Sequence, residues 1–78
     1  MEKIIIRDDN IKLGQALKLA GAVDSGTDAK FAVVDGLVKV NDEVCTQRGK
    51  KLICGDIIEF NGSLYVISNE WFYTVWGM

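Results

Sequence analysis

The apolar positions near the start of the chain follow a helical period. Apolar residues recur at three- and four-residue intervals from Leu13 to Ala20, which predicts a short amphipathic helix. Asp9 or Asn10 is expected to cap the N-terminus of this helix, because both side chains accept hydrogen bonds from free backbone amides. Gly21 is expected to end it.

A second helix is predicted directly after the first. Ser25 is suited to the N-cap position, and Asp28 follows three residues later, in the spacing of a capping box. Gly36 is the predicted stop. The positions expected to face the core are Ala29, Ala32 and Val33. Because the two helices are short and closely joined, they should pack against each other.

The period then changes to two, which predicts strands. In "LVKVND", Val38 and Val40 lie on one face and Lys39 lies on the other. The further expected strands are "EVCT", "GDIIEF" from Ile57 to Phe60, "SLYVIS", an edge strand in "KIIIR", and a last strand in "WFYTVW" after a turn at Asn69-Glu70. Asn41-Asp42 and Asn61-Gly62 suit tight hairpin turns, and "QRGKK" is read as a loop. The predicted class is α+β, with two short N-terminal helices packed on a small antiparallel β-sheet.

Composition places the chain among small globular domains. It has 78 residues, of which 49% are hydrophobic and 26% are charged. This length suits one domain, which we expect to span residues 1–78. There is no secretory apolar region, and no stretch approaches the roughly 20 apolar residues of a membrane span. We therefore expect a cytoplasmic protein that does not bind membranes.

The residues give little support for catalysis, a cofactor or a metal site. The chain contains no His, which removes the usual acid–base group, and it lacks a Gly-rich phosphate loop. Two cysteines, Cys45 and Cys54, are too few for a structural zinc site. They are expected to be free thiols in or near the core, with a disulfide, a redox role or a thiol enzyme as alternatives. We expect no enzyme activity and no cofactor.

One segment runs against the overall charge. The net charge is −2, yet the stretch from Val44 to Gly55 contains Arg48, Lys50 and Lys51 and no acid. The start of the second helix offers free backbone amides, which favour anions. If that helix packs beside the hairpin, the cations around it share one rim with Ser25, and this suits phosphate. An ordinary solvated surface is the alternative.

The stretch from Ser25 to Ile58 resembles the αL-motif RNA-binding domain named after ribosomal protein S-four. The matching features are a Ser-capped helix, a Gly stop, a Val-x-Val-Asn strand and turn, and a Gly-Asp closing turn. The residues that carry them are Ser25, Ala29, Lys30, Gly36, Val38, Val40, Asn41, Gly55 and Asp56. "LGQALKL", "SGTDAK" and "RGKKL" are similar to the small stand-alone bacterial members of YaaA/YbcJ type. The resemblance covers about residues 11–62.

This resemblance implies a non-catalytic module that binds structured RNA, including ribosomal RNA. It also implies a contact surface at the start of the second helix, the adjoining strand and turn, and the loop "QRGKK", which we call the basic loop. Carried over by position, the RNA-binding residues are Lys12, Ser25, Thr27, Lys30, Lys39, Asn41, Arg48, Lys50 and Lys51. Such a module would recognise RNA shape and backbone more than sequence.

The C-terminal tail, 69–78, lies outside the motif and is rich in aromatic residues. These are Trp71, Phe72, Tyr73 and Trp76. One interpretation is that they complete the core. The alternatives are a homodimer contact or a protein-partner site, and base stacking beside the cations. A protein-interaction module that uses this tail is therefore the second hypothesis for the function.

Overall fold

The computed structural model describes residues 1–69, which form two helices and seven strands. The strands are β1 (Glu2–Ile6), β2 (Ile11–Lys12), β3 (Val38–Val40), β4 (Glu43–Val44), β5 (Lys51–Leu52), β6 (Ile57–Phe60) and β7 (Ser63–Asn69). The helices are α1 (Leu13–Leu19) and α2 (Gly26–Val34), and they pack against each other. The predicted α+β class is confirmed.

The main sheet has the order β1-β7-β6-β3-β4, and β1 forms one edge of it, as predicted. Two corrections follow. The sheet is not wholly antiparallel, because β1 runs parallel to β7, with Ile4 opposite Ile67. The helices are not the N-terminal elements either, since β1 and β2 precede them. Two parallel strands need a long connection along the chain. Here both helices and the other five strands come between β1 and β7 in the sequence.

The core lies between one face of the sheet and the two helices. Alternate residues of the strands point inward, and the helices supply the opposite wall. The most deeply buried side chains are Leu13, Leu17, Val33, Val38, Leu52, Ile58 and Ile67. The buried stripe predicted for the second helix is confirmed at Ala29, Ala32 and Val33.

The ends of α2 follow its sequence signals. The Ser25 side chain accepts a hydrogen bond from the amide of Asp28 at 3.1 Å. At the other end, the amide of Gly36 donates to Val33 and the amide of Leu37 donates to Ala32, which is a Schellman motif. Gly36 has φ of +76°, a conformation that strains other residues. The predicted cap and stop are both confirmed.

The start of α1 was predicted wrongly. Its N-cap position is Lys12, with no side-chain cap, rather than Asp9 or Asn10. The reason is tertiary: Ile11 and Lys12 pair with Leu52 and Lys51 in a separate two-stranded sheet, so the helix cannot begin earlier. The same pairing corrects the loop predicted in "QRGKK", because its last residue, Lys51, belongs to β5.

Both hairpin turns are confirmed. Asn41 and Asp42 have φ of 51° and 71°, and Asn61 and Gly62 have φ of 54° and 81°, as type I′ turns require. The strand predicted in "WFYTVW" lies outside the described residues.

Candidate nucleic-acid interface

The basic loop is held against the start of α1 by backbone hydrogen bonds. The amide of Leu13 donates to the carbonyl of Lys50 at 2.9 Å, and the amide of Gly14 donates to the carbonyl of Arg48 at 3.0 Å. The first amides of a helix have no partner within it, so these carbonyls replace a side-chain cap. The loop therefore has a fixed position on the helix.

The pairing of β2 with β5 places two lysines side by side. Lys12 lies directly opposite Lys51 in this antiparallel pair, and both residues are exposed. Side chains directly opposite each other lie on the same face of the pair. Like charges in this arrangement repel each other. An anion bound between the two ammonium groups would relieve that repulsion.

A glycine allows Arg48 to lie close to α1. Gly14 is buried, and a Cβ atom added there would come within 2.8 Å of the Arg48 Cγ atom. No real side chain tolerates that distance without a shift. The absence of a side chain at Gly14 thus lets the stem of Arg48 pass over the first turn of the helix.

A cleft of about 480 Å³ lies between α1, the start of α2 and the basic loop. Three of its lining residues are the cations Lys12, Lys18 and Arg48. We call it the basic cleft, and it is lined by Lys12, Gly14, Gln15, Lys18, Gly26, Ala29, Arg48 and Gly49. No acidic side chain is among these residues, so the cleft attracts anions.

The start of α2 contributes backbone donors to the basic cleft. Gly26 is the first residue of the helix, and the Ser25 hydroxyl oxygen is already used as the cap. The hydroxyl hydrogen of Ser25 can still donate to a ligand. Thr27 is exposed beside it, and Lys30 lies one turn beyond Gly26 on the same side of the helix. Gly26 itself lines the cleft, and Ser25, Thr27 and Lys30 are its neighbours at the start of α2.

Two of the candidate cations lie elsewhere. Lys39 is on β3, opposite Glu59, and its Nζ atom is 3.9 Å from a carboxylate oxygen of that residue. Both side chains are about half exposed. Lys50 lines a different depression together with Glu43 and Gln47. An acid thus accompanies each of these lysines, whereas the basic cleft has none.

Asn41 has a structural task in addition to any contact with a ligand. Its Nδ2 donates to the Asp56 carboxylate at 3.1 Å, and its Oδ1 accepts from the amide of Ile57 at 3.0 Å. The other carboxylate oxygen of Asp56 accepts from the amide of Ile53 at 2.8 Å. Asn41 and Asp56 therefore join the β3–β4 turn to the start of β6. The role of Asn41 in RNA binding stays a prediction.

Six residues that line the cleft were not among the RNA-binding candidates: Gly14, Gln15, Lys18, Gly26, Ala29 and Gly49. A signal for Gly14 exists in the sequence, because a glycine inside a helical pattern costs stability and indicates a close approach. Nothing in the sequence says that the approaching group is Arg48. Gln15 carries no charge and has no comparable signal.

The cysteines are both free thiols, as expected, but only one is near the core. Cys45 is half-buried and packs against the core, with its Sγ atom 3.6 Å from the carbonyl of Gln47. Cys54 is exposed in the turn that leads to β6, so its expected position in or near the core is wrong. Across residues 1–69, no three potential metal ligands lie close enough together to hold an ion.

Neither helix among residues 1–69 has the length and apolar character needed to cross a membrane. The four aromatic residues proposed for a partner contact, Trp71, Phe72, Tyr73 and Trp76, lie outside the described residues.

The sequence profile of the S4 domain matches residues 4–68. This chain belongs to the S4 domain family. The match extends from within β1 to within β7, and so includes the whole stretch that carries the motif residues. The predicted resemblance to this family is confirmed.

Two curated relatives have similar lengths. The chain is 46% identical over 59 residues to the "probable ribosome maturation protein RlbA" of Bacillus subtilis. The matched region covers 76% of this chain and 83% of RlbA. The chain is 38% identical over 53 residues to YbcJ of Escherichia coli, which covers 68% of this chain and 76% of YbcJ.

Solved structures show the same fold. The solution structure of E. coli YbcJ, described as revealing an αL motif involved in RNA binding, has a TM-score of 0.68 and 30% identity, with 87% of each chain covered. The 30S ribosomal protein S4e of Thermoplasma acidophilum has a TM-score of 0.59 and 26% identity. That match covers 77% of this chain and 32% of S4e, so only part of S4e corresponds to it.

Proposed function

We propose that this protein binds structured RNA, with the phosphate backbone seated in the basic cleft. The observation that carries the proposal is the meeting of Lys12, Lys18 and Arg48 with the N-terminus of α2 in one concave surface without acids. YbcJ, whose αL motif is described as involved in RNA binding, supports the choice of RNA as the ligand. RlbA, named for ribosome maturation, supports ribosomal RNA as the class to test first.

The chemistry of the cleft favours phosphate contacts over base contacts. Lysine and arginine neutralise phosphates and release counterions, so the affinity should fall steeply with salt concentration. Contacts of this kind recognise the shape of a helix and do not report its sequence. Lys51 adds a charge next to Lys12, and Ser25, Thr27 and Lys30 flank the cleft at the start of α2. We assign the predicted Lys39, Asn41 and Lys50 smaller roles, because each has a partner or an acid beside it.

The role we propose is non-catalytic, in keeping with the S4 domain family. The protein would position or stabilise an RNA fold rather than change a covalent bond. The expected cytoplasmic location stays a prediction, and it agrees with ribosomal RNA as the target.

Backbone NMR of the 78-residue chain tests the proposal. We would titrate ¹⁵N-labelled protein with a hairpin RNA of about 12 base pairs, which is shorter than the roughly 16 base pairs that other double-strand binders span. We expect the largest amide shifts at Lys12, Gly26 and Gly49, which lie on three separate segments of the chain and all line the cleft. Absent shifts, or shifts confined to the outer face of the sheet, would refute it. Shifts confined to residues 70–78 would favour the tail instead.

A further inference from the structure

A second concave surface adjoins the basic cleft. It is a groove of about 550 Å³ between β1, the segment after it and α1. We call it the β1–α1 groove. Four of its lining residues are apolar: Ile5, Ile6, Ile11 and Leu19. Leu19 is 59% exposed and Ile5 is 42% exposed, so apolar surface faces solvent there.

The two concave surfaces are continuous with each other. Gln15 and Lys18 line both of them. These residues are three apart on α1, so they lie on one face of that helix. A strand of RNA whose phosphates rest in the basic cleft therefore has its next nucleotide within reach of the groove.

The groove differs from the cleft in chemistry. Its apolar residues offer no partner to a phosphate, and its charged residues are of both signs, with the acid Asp8 beside the cations Arg7 and Lys18. A nucleobase fits better, because its faces are apolar and its edge donates hydrogen bonds that a carboxylate accepts. The volume is within the range of about 300–1,000 Å³ that is typical of small-molecule pockets.

We infer that the β1–α1 groove binds an unpaired nucleobase next to the duplex held by the basic cleft; this inference rests on the proposed function. The preferred ligand is thus an RNA helix with a bulged nucleotide rather than an uninterrupted helix. The apolar groove residues contact the base, Gln15 and Asp8 are near its edge, and Lys18 meets the phosphate at the junction.

The test compares two hairpin RNAs that differ by one bulged nucleotide, which is 2-aminopurine. Binding to the 78-residue chain is measured by the fluorescence anisotropy of a label at the end of the RNA, and the environment of the base is measured by its own fluorescence. We expect the bulged hairpin to bind about tenfold more tightly, which corresponds to about 1.4 kcal/mol, because the base leaves water and packs against aliphatic side chains. We also expect the fluorescence of the bulged base to change on binding.

Two variants, at leucines of nearly equal exposure, test whether the groove causes the preference for the bulge. Leu19→Ser removes an apolar contact in the groove, and Leu37→Ser removes a leucine of 60% exposure outside it. We expect Leu19→Ser to lose most of the preference for the bulge and to keep its affinity for the plain hairpin, while Leu37→Ser keeps both. Circular dichroism checks that both variants fold.

Four outcomes would count against these proposals, and they show which of the two proposals fails. If wild-type protein binds both hairpins equally, with normal salt dependence, the groove inference is wrong and the proposed function stands. A bulge preference that survives in Leu19→Ser, or a 2-aminopurine signal that does not change, also refutes the groove. If neither hairpin binds at low salt, the proposed function itself fails.

Discussion

Lys12 and Lys51 lie directly opposite each other in the two-residue pairing of β2 with β5. Their side chains emerge on the same face, next to the basic cleft, and both are exposed. On the other face, Ile11 packs against the core beside the fully buried Leu52. The contact between Ile11 and Leu52 stabilises the pairing of the two strands, whereas the repulsion between the two lysines destabilises it. We interpret this repulsion as a stability cost that a bound phosphate removes.

The first prediction concerns this lysine pair. Lys51→Gln should raise the free energy of unfolding by about 0.2–0.5 kcal/mol, because it removes the repulsion across the strands. The same change should weaken binding of hairpin RNA. Urea denaturation and a binding titration measure the two effects. Lys50→Gln, at the neighbouring position beside Glu43, is the control and should not raise stability. A fall in stability for Lys51→Gln would contradict the interpretation.

The second prediction concerns the close approach of Arg48 to Gly14. Gly14→Ala should lower the free energy of unfolding by about 1 kcal/mol, because the new methyl group meets the Arg48 side chain. Gly26→Ala is the matched control, since a Cβ there has no neighbour within 4 Å, and it should stabilise the protein by about 0.4–1 kcal/mol.

The loss in Gly14→Ala should disappear when Arg48 is also changed to Ala. Thermal or urea denaturation of the four proteins in this cycle gives the coupling between the two sites. Equal losses with and without Arg48 would show that the arginine does not cause the effect.

The third prediction separates a structural role of Asn41 from an RNA contact. Asn41→Gly keeps the left-handed turn but loses the hydrogen bonds to Asp56 and Ile57. It should lower the free energy of unfolding by about 1–3 kcal/mol and leave the RNA affinity of the folded protein within about twofold, a difference of about 0.4 kcal/mol. Asn61→Gly, at the same position of the other hairpin, is the control.

Within residues 1–69 the Asn61 side chain makes no hydrogen bond, so the control should change stability by less than about 0.5 kcal/mol. A large loss of RNA affinity in folded Asn41→Gly would show instead that this amide contacts the RNA, as the family resemblance implies.

The fourth prediction concerns Lys39. Its distance to Glu59 is 3.9 Å and both groups are half exposed, so the ion pair contributes little. Lys39→Gln should change the free energy of unfolding by less than about 0.5 kcal/mol. RNA affinity should also change little, because Glu59 already offsets the charge. A loss of RNA affinity as large as that caused by Lys12→Gln would show that Lys39 does contact the RNA.

Features set by neighbouring residues could be predicted from the sequence. Ser25 caps α2, Gly36 ends it, and the Asn-Gly turn at 61–62 joins two strands, because each of these depends on a few adjacent residues. The αL resemblance also implies an RNA surface at the start of α2, and this stays a prediction. The capping and turn signals thus defined most element boundaries after residue 25.

Features set by distant pairing could not be predicted in the same way. β2 and β5 have two residues each, which is too few to show a period in the sequence. Because they pair, α1 begins at Leu13, after the predicted caps Asp9 and Asn10. The parallel direction of β1 depends on packing across the whole chain. The same holds for the basic cleft, since the approach of Arg48 to Gly14 joins residues that are 34 positions apart.

The dependence of RNA affinity on salt concentration tests the central claim most directly. Wild-type protein is compared with Lys12→Gln/Lys18→Gln, which lie in the basic cleft, and with Lys3→Gln/Lys39→Gln, which remove the same charge from the sheet. The slope of log affinity against log salt concentration is negative. If phosphates occupy the cleft, the magnitude of this slope should be smaller by about 1.5 in the first variant, at roughly 0.7–0.9 for each lost contact. The second variant should keep the wild-type slope. Equal slopes in all three proteins would contradict the assignment of the basic cleft to phosphate binding.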